Sequence, residues 1–444
     1  DEENAATLAR ALVSLADARL ESDPTEAVAL AEEALALAPF GPETVEHDVT
    51  TETHRVRLGE ARMAVGDHLG AARDLELATR ALEERLHVPG ARAQLARAFG
   101  QLSRVETRLG REDDAARSAA REVEERRKLL ELRPESVERR YFVGAALLVL
   151  GNADLARGRA DAACAAIEES VELLEAATDQ APEDRRIVND HARALYGLAR
   201  AQQAVEPAGG FPMAPFQRAL EVARAARDLD PADPGARSLL ATVSLGLAAT
   251  RYGAGEADDA LALQDEGIGV LTTLVSASPD WLEPRHRLAE AYRNRIAMFV
   301  GLGRIEETEA DARAARAVVA EGLVRSPDDH RLKSFRVQVD SHLAALEVER
   351  TGDTAAAVRE ALRWVEEWPD GVPAHLTAAE CIVLSAGVVE AEDERERLRA
   401  QAVDLVAAAL ELGFDPPAEW PAAGGGALAA LAERADLRAL VEGD

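Results

Sequence analysis

The chain has 444 residues, 47% of them hydrophobic but only 4% aromatic, and carries 51 Lys and Arg against 81 Asp and Glu, a formal charge of −30. Such a surface repels phosphate backbones and anionic lipid, so neither nucleic acid nor a membrane is expected as a partner. The length exceeds a usual single core, yet no shift in composition divides it; abundant alanine and missing alternating β-branched runs indicate an all-α protein.

Only Lys128 and Lys333 are lysines, so almost all positive charge is guanidinium. The two cysteines, Cys164 and Cys381, stand far apart in apolar contexts that fit buried small hydrophobes rather than a disulfide scaffold or a zinc site. No apolar run approaches the ~18 residues of a membrane span. The Asp1-Glu2-Glu3-Asn4 start is neither a signal peptide nor an initiator methionine, which leads to the expectation of a cytoplasmic fragment cut from a longer chain.

In chain order, a turn recurs at a spacing of roughly 48 residues. It appears as Val65-Gly66-Asp67, Leu109-Gly110-Arg111, Arg157-Gly158-Arg159, Ala254-Gly255-Glu256, Leu302-Gly303-Arg304 and Thr351-Gly352-Asp353. Prolines close successive units at Pro39, Pro89, Pro134, Pro182, Pro231, Pro279, Pro327, Pro369 and Pro416, because proline cannot continue a helix. Between exits the pattern predicts a helix, a glycine turn and a second helix, for instance 283–300, Gly301-Leu302-Gly303 and 306–324. Residues 43–53, acidic and Thr-rich, are expected as a flexible polar linker. An insertion at 206–216 separates the helices of one unit, and a Pro/Gly-rich loop at 413–426 precedes a final helix over 427–444 that would cap the open end.

These residues resemble the tetratricopeptide repeat (TPR) family, whose hairpin has a Leu-Gly pair in helix A, a glycine turn, a small residue early in helix B and a closing proline. Leu58-Gly59 with Gly66 and Ala71, and Leu150-Gly151 with Gly158 and Ala163, carry the match. Several B helices are longer by about two turns, which returns the apolar stripe to the same face. HEAT-type repeats are the alternative fold. The resemblance implies an α-solenoid of about eight hairpins over 1–412, in units ending near 39, 89, 134, 182, 231, 279, 327, 369 and 412. The long-helix variant is most similar to repeat regions attached to bacterial eukaryotic-like serine/threonine protein kinases. No phosphate loop, His-Arg-Asp or Asp-Phe-Gly kinase signature occurs in these residues.

No catalytic constellation, cofactor motif or metal-ligand set emerges. His286 and Glu290, at i and i+4, read as a solvated ion pair rather than half a metal site. His47 and His54 beside Glu46, Asp48 and Glu52 match no known ligand loop. Binding is the better expectation. Counting back from the turn glycines puts Arg104, Arg108, Asn152, Tyr252, Arg293 and His342 on or near the helix A face that lines the groove in the resembled family. Clustered arginines there could select an acidic peptide. Phe211, Met213 and Phe216 are expected either to latch a partner or plug the groove, or to fill the local core.

The chain is therefore expected to be a non-catalytic scaffold that takes a protein or peptide in its concave groove. Two other readings compete: a regulatory region contacting an upstream signalling kinase, and a small-molecule receptor or enzyme using 206–216 as a lid.

Overall fold

The computed structural model describes all residues except 1, 21, 38–44, 207–211, 415, 417–426, 432–433, 435–436 and 438–444; among those described are eighteen α-helices, one 3-10 turn and no strand. They pair in sequence as nine hairpins, against the eight or so expected. The first five are α1 (Glu2–Arg19) with α2 (Pro24–Ala36), α3 (Val45–Ala64) with α4 (His68–Glu83), α5 (Ala91–Arg108) with α6 (Glu112–Glu131), α7 (Val137–Ala156) with α8 (Ala160–Gln180), and α9 (Arg185–Val205) with α10 (Met213–Leu229). The remaining four are α11 (Pro234–Gly253) with α12 (Ala257–Ala277), α13 (Leu282–Gly301) with α14 (Ile305–Arg325), α15 (His330–Thr351) with α16 (Thr354–Glu367), and α17 (Val372–Val388) with α18 (Glu392–Glu411). Although composition is even along the chain, the helices gather into two compact units, 1–243 and 244–444, divided inside α11.

In the first unit each helix from α1 to α10 packs on its neighbours in sequence, and α1, α3, α5, α7 and α9 also touch one another in turn. Those five form one layer of the stack. The second unit repeats the rule with α13, α15 and α17.

The recurring turn works as the sequence implies. Gly66, Gly110, Gly158, Gly255 and Gly303 all have φ between 69° and 85°, and the next residue's N–H reaches back to the carbonyl five residues earlier, as Arg111 does to Glu106 at 2.8 Å. Left-handed glycine thus satisfies carbonyls that the helix end leaves open. Where the hairpin's helices cross most closely there is no room for a side chain: a Cβ on Gly151 would lie 2.3 Å from Ile167 Cγ1.

Several expectations are corrected. The stretch expected as a flexible linker belongs, from Val45 onward, to α3, and His54 is buried in it. Buried Val49 and Val56 give that helix an apolar face, and the Thr53 hydroxyl donates to the Val49 carbonyl at 2.9 Å, so the threonines are absorbed into the helix. His286 is buried rather than solvated. Its Nε2 faces Asp329 Oδ2 at 2.8 Å, and Asp329 caps α15, while Glu290 meets Arg293. Burial pushes the Asp329 carboxyl up, but the Leu332 N–H and His286 outweigh it and hold it below the usual range. Cys381 is buried and its thiol is pushed up to about 11, whereas Cys164 is only half-buried.

At the C-terminal end, Ala427–Leu431 forms the 3-10 turn. Leu428, Leu431 and Leu437 are buried with Trp364, Ile382 and Val406, so this segment covers apolar surface of α17. Arg434 pairs with Glu396 at 2.7 Å, while residues 432–433, 435–436 and 438–444 of the expected capping helix, and 417–426 of the preceding loop, lie outside the described residues.

Candidate peptide-binding groove

In the first unit, α5, α6, α7 and α9 enclose an open cavity of about 450 Å³. Its position follows from local sequence. Gly100, in the middle of α5, removes the side chain that would fill the space between α5 and α6, since a Cβ there would stand 2.4 Å from Glu122 Oε2. On α7, Ala145 and Ala146 are too small to fill what Tyr141 and Phe142 leave open.

The wall is charged, and most of its charges are already committed. Arg97 clasps both oxygens of Glu60 at 2.7 and 2.8 Å, with Gln101 donating to the same carboxylate at 2.8 Å. Glu60 also takes Arg57, which reaches Asp17 on α1, so one polar ladder ties α1, α3 and α5 together. Across the cavity the Tyr141 hydroxyl donates to Asp190 at 2.9 Å, and Arg193 donates to the other oxygen of Asp190 at 2.7 Å. Burial, then the Asp190 charge, pushes the Tyr141 hydroxyl far up, so it stays protonated as a donor.

The remaining pair is loose. Arg126 lies over Phe142 with its guanidinium carbon 4.5 Å from the ring centre, and its Nε and Nη2 approach a single oxygen of Glu122, both at 3.4 Å. Its third nitrogen, Nη1, donates to no described group. Arg104, also lining the cavity, is exposed and, among the described residues, donates a hydrogen bond only to Gln101, at 3.5 Å. Burial pushes the Glu122 carboxyl up, against the pull of Arg126 and Arg104, and lowers the Arg126 guanidinium. The outcome is a local concentration of under-used guanidinium in a strongly acidic chain.

The six residues anticipated for the groove fall in both units. In the first, Arg104 lines the cavity, whereas Arg108, in the last turn of α5, and Asn152, exposed on α7, do not. Glu60, Arg104 and Asn152 nevertheless share one register, six residues before Gly66, Gly110 and Gly158. In the second unit, the Tyr252 hydroxyl donates to the Met298 carbonyl at 3.3 Å, and Arg293 stacks at 5.5 Å on Phe335 and pairs with Glu290. His342 is half-buried on α15, where burial lowers its pKa. Phe216, with 2% of its surface exposed, packs edge-on against Tyr196 between α9 and α10, and Met213 opens α10; Phe211 lies outside the described residues.

Sequence reasoning does not single out Arg97, Gln101, Glu122, Arg126, Tyr141, Phe142 or Asp190. Two signals for them exist: an adjacent Tyr-Phe pair in an aromatic-poor chain, and a glycine interior to a strong helix pattern. Among the described residues no group of three or more His, Cys, Asp or Glu is placed to hold a metal, and no helix is long and apolar enough to cross a membrane.

No protein-family model matches the chain, and comparison with curated proteins finds no match. Among solved structures, the apo form of RapI matches with a TM-score of 0.51 at 10% identity, over 90% of this chain and 98% of that one. A signal transduction ATPase with a tetratricopeptide repeat sensor from Pyrococcus horikoshii gives 0.48 at 11% identity, over 84% of this chain and 52% of that one. A thermophilic TPR protein of Thermus thermophilus gives 0.35 at 20% identity, over 54% and 98%. At these identities the likeness is one of fold: the chain is an all-α, TPR-like helical-repeat protein.

Proposed function

We propose that this chain is a non-catalytic protein-interaction adaptor that holds an acidic segment of a partner along the cavity face of its first unit. The observation that carries the reading is the cavity between α5, α6, α7 and α9, where Arg104 and Arg126 leave donors unused beside the aromatic wall of Tyr141 and Phe142. Stacked helices hold these groups in place before a partner arrives, so the ordering entropy on binding falls mainly on the partner segment. Net negative charge elsewhere disfavours adventitious anions, which concentrates recognition on this one patch. Phe216 is part of the core beside Tyr196, which argues against a lid built from the inserted loop.

The test is a peptide display screen on the full chain and on Arg104→Glu, with circular dichroism to confirm the fold. Acidic sequences should dominate the wild-type pool and disappear from the variant's. An unchanged pool would overturn the assignment. A selected sequence that belongs to a protein kinase would turn the adaptor reading into the regulatory one, with the same groove and a signalling enzyme as occupant.

A further inference from the structure

Two arginine–carboxylate pairs elsewhere in this protein are closed. Arg97 takes both oxygens of Glu60 at 2.7 and 2.8 Å, and Arg295 takes both oxygens of Asp311 at 2.6 Å each. The pair beside the cavity is different: Arg126 and Glu122 are about as buried, yet both contacts run to one oxygen at 3.4 Å. The guanidinium is fixed by Phe142 rather than by its carboxylate, at 4.5 Å from the ring. One nitrogen, Nη1, is therefore free beside the cavity, and the other two are held only by long contacts to one oxygen.

We propose that the cavity is an anchor pocket for a single carboxylate of the bound segment, clasped by Arg126 and Arg104, and that Glu122 is a built-in competitor which the incoming carboxylate displaces. This rests on the groove reading above and narrows it to one chemical group. The other acid lining the cavity, Asp190, is held by Tyr141 and Arg193, and Glu60 behind its wall is held by Arg57, Arg97 and Gln101. Glu122 alone can yield its arginine at the loss of two long contacts.

The displaced Glu122 has little to turn to. From α5 it faces Arg104 and the bare backbone of Gly100; on its own helix it has Arg126, which Arg97 further repels; α7 offers Phe142, and Tyr141 is engaged with Asp190. A second carboxylate in this space favours proton uptake by Glu122, which burial already pushes upward. Binding should therefore be linked to a proton and strengthen as pH falls from neutral toward the carboxylate range.

The experiment uses the full chain and fluorescence anisotropy with three labelled hexapeptides: one with a central Glu and a C-terminal amide, one with Gln in its place and the amide, and one with Gln and a free C-terminus. The expected result is that the Glu peptide binds and the amidated Gln peptide does not. Glu122→Gln should bind the Glu peptide about tenfold tighter, because the competing charge is gone while the side chain's shape stays. Wild-type affinity should rise severalfold from about pH 7.5 to about pH 5.5, and Glu122→Gln should show no such rise. Arg104→Gln, at an exposed position, gives a second variant that keeps the fold and should weaken the same probe. Binding of the free-terminus Gln peptide alone would assign the anchor to a chain end rather than a side chain, with the same clasp. If Glu122→Gln binds no tighter while Arg104→Gln still weakens binding, the competitor is disproved and the acidic groove stands. If no carboxylate peptide binds either protein, both readings fall.

Discussion

Arg295–Asp311 in the second unit and Arg126–Glu122 in the first are the same two chemical groups in similar burial, with opposite uses. The first bridges α13 to α14 with two short bonds on two oxygens and takes Asp265 besides, so its charge is consumed in joining helices. The second lies within one helix, where i,i+4 spacing allows contact but aligns the fork poorly, and the guanidinium rests over an aromatic ring. A buried charge is structural when its partner comes from another element at the right angle. It is available for binding when the partner is only a helical neighbour.

The largest expected effect tests the closed side. Asp311→Ala leaves Arg295 buried without its main partner and should cost about 3–5 kcal/mol, read by urea denaturation of the full chain. Glu122→Gln should change stability by only about 1 kcal/mol in either direction. Similar losses at both sites would erase the distinction. Next, Gly151→Ala forces a methyl against Ile167 and the Ala163 carbonyl, which lies 3.2 Å away, and should cost about 1–3 kcal/mol. Gly100→Ala meets first the movable end of Glu122 and should cost less, yet it pushes that carboxylate aside and should abolish binding of the Glu peptide. Comparing their melting and anisotropy curves separates packing glycines from site-making ones.

The smallest effect is in pH. Burial raises the folded Glu122 value above the ordinary 4.5, so the folded state binds the extra proton. Its contribution is fully present below the unfolded value and is lost as pH rises through the folded one. Wild type should therefore lose stability relative to Glu122→Gln between about pH 4.5 and neutrality, measured by urea titrations at both ends. A difference that grows more favourable with rising pH would contradict the burial of this group.

Much of the fold is legible in the sequence because its signals are local. A glycine that must take positive φ, a proline that must end a helix and an alanine early in helix B each act within a few residues, and their recurrence marks most of the hairpins, though α1–α2 and α17–α18 turn without such a glycine. The same locality explains the failures. Residues 45–53 read as a polar linker because threonines and acids dominate the count, while the buried stripe of Val49 and Val56 that makes them helical gains meaning only from what packs on it. His286 reads as the partner of the nearest acid on its own helix face, but it meets Asp329, at the start of the next hairpin's first helix.

The site divides along the same line. Residue order alone is enough to set the repeat, its turns and the face to which Arg104 belongs, since helical periodicity and turn chemistry depend on neighbours along the chain. Which arginines are consumed and which are free is settled in three dimensions, because that depends on whether another helix brings a carboxylate at the right distance and angle. Arg97 meets Glu60 across two hairpins, Arg295 is taken up by Asp311 of the next helix, and Arg126 is left beside a cavity that Gly100 and two alanines of α7 keep open.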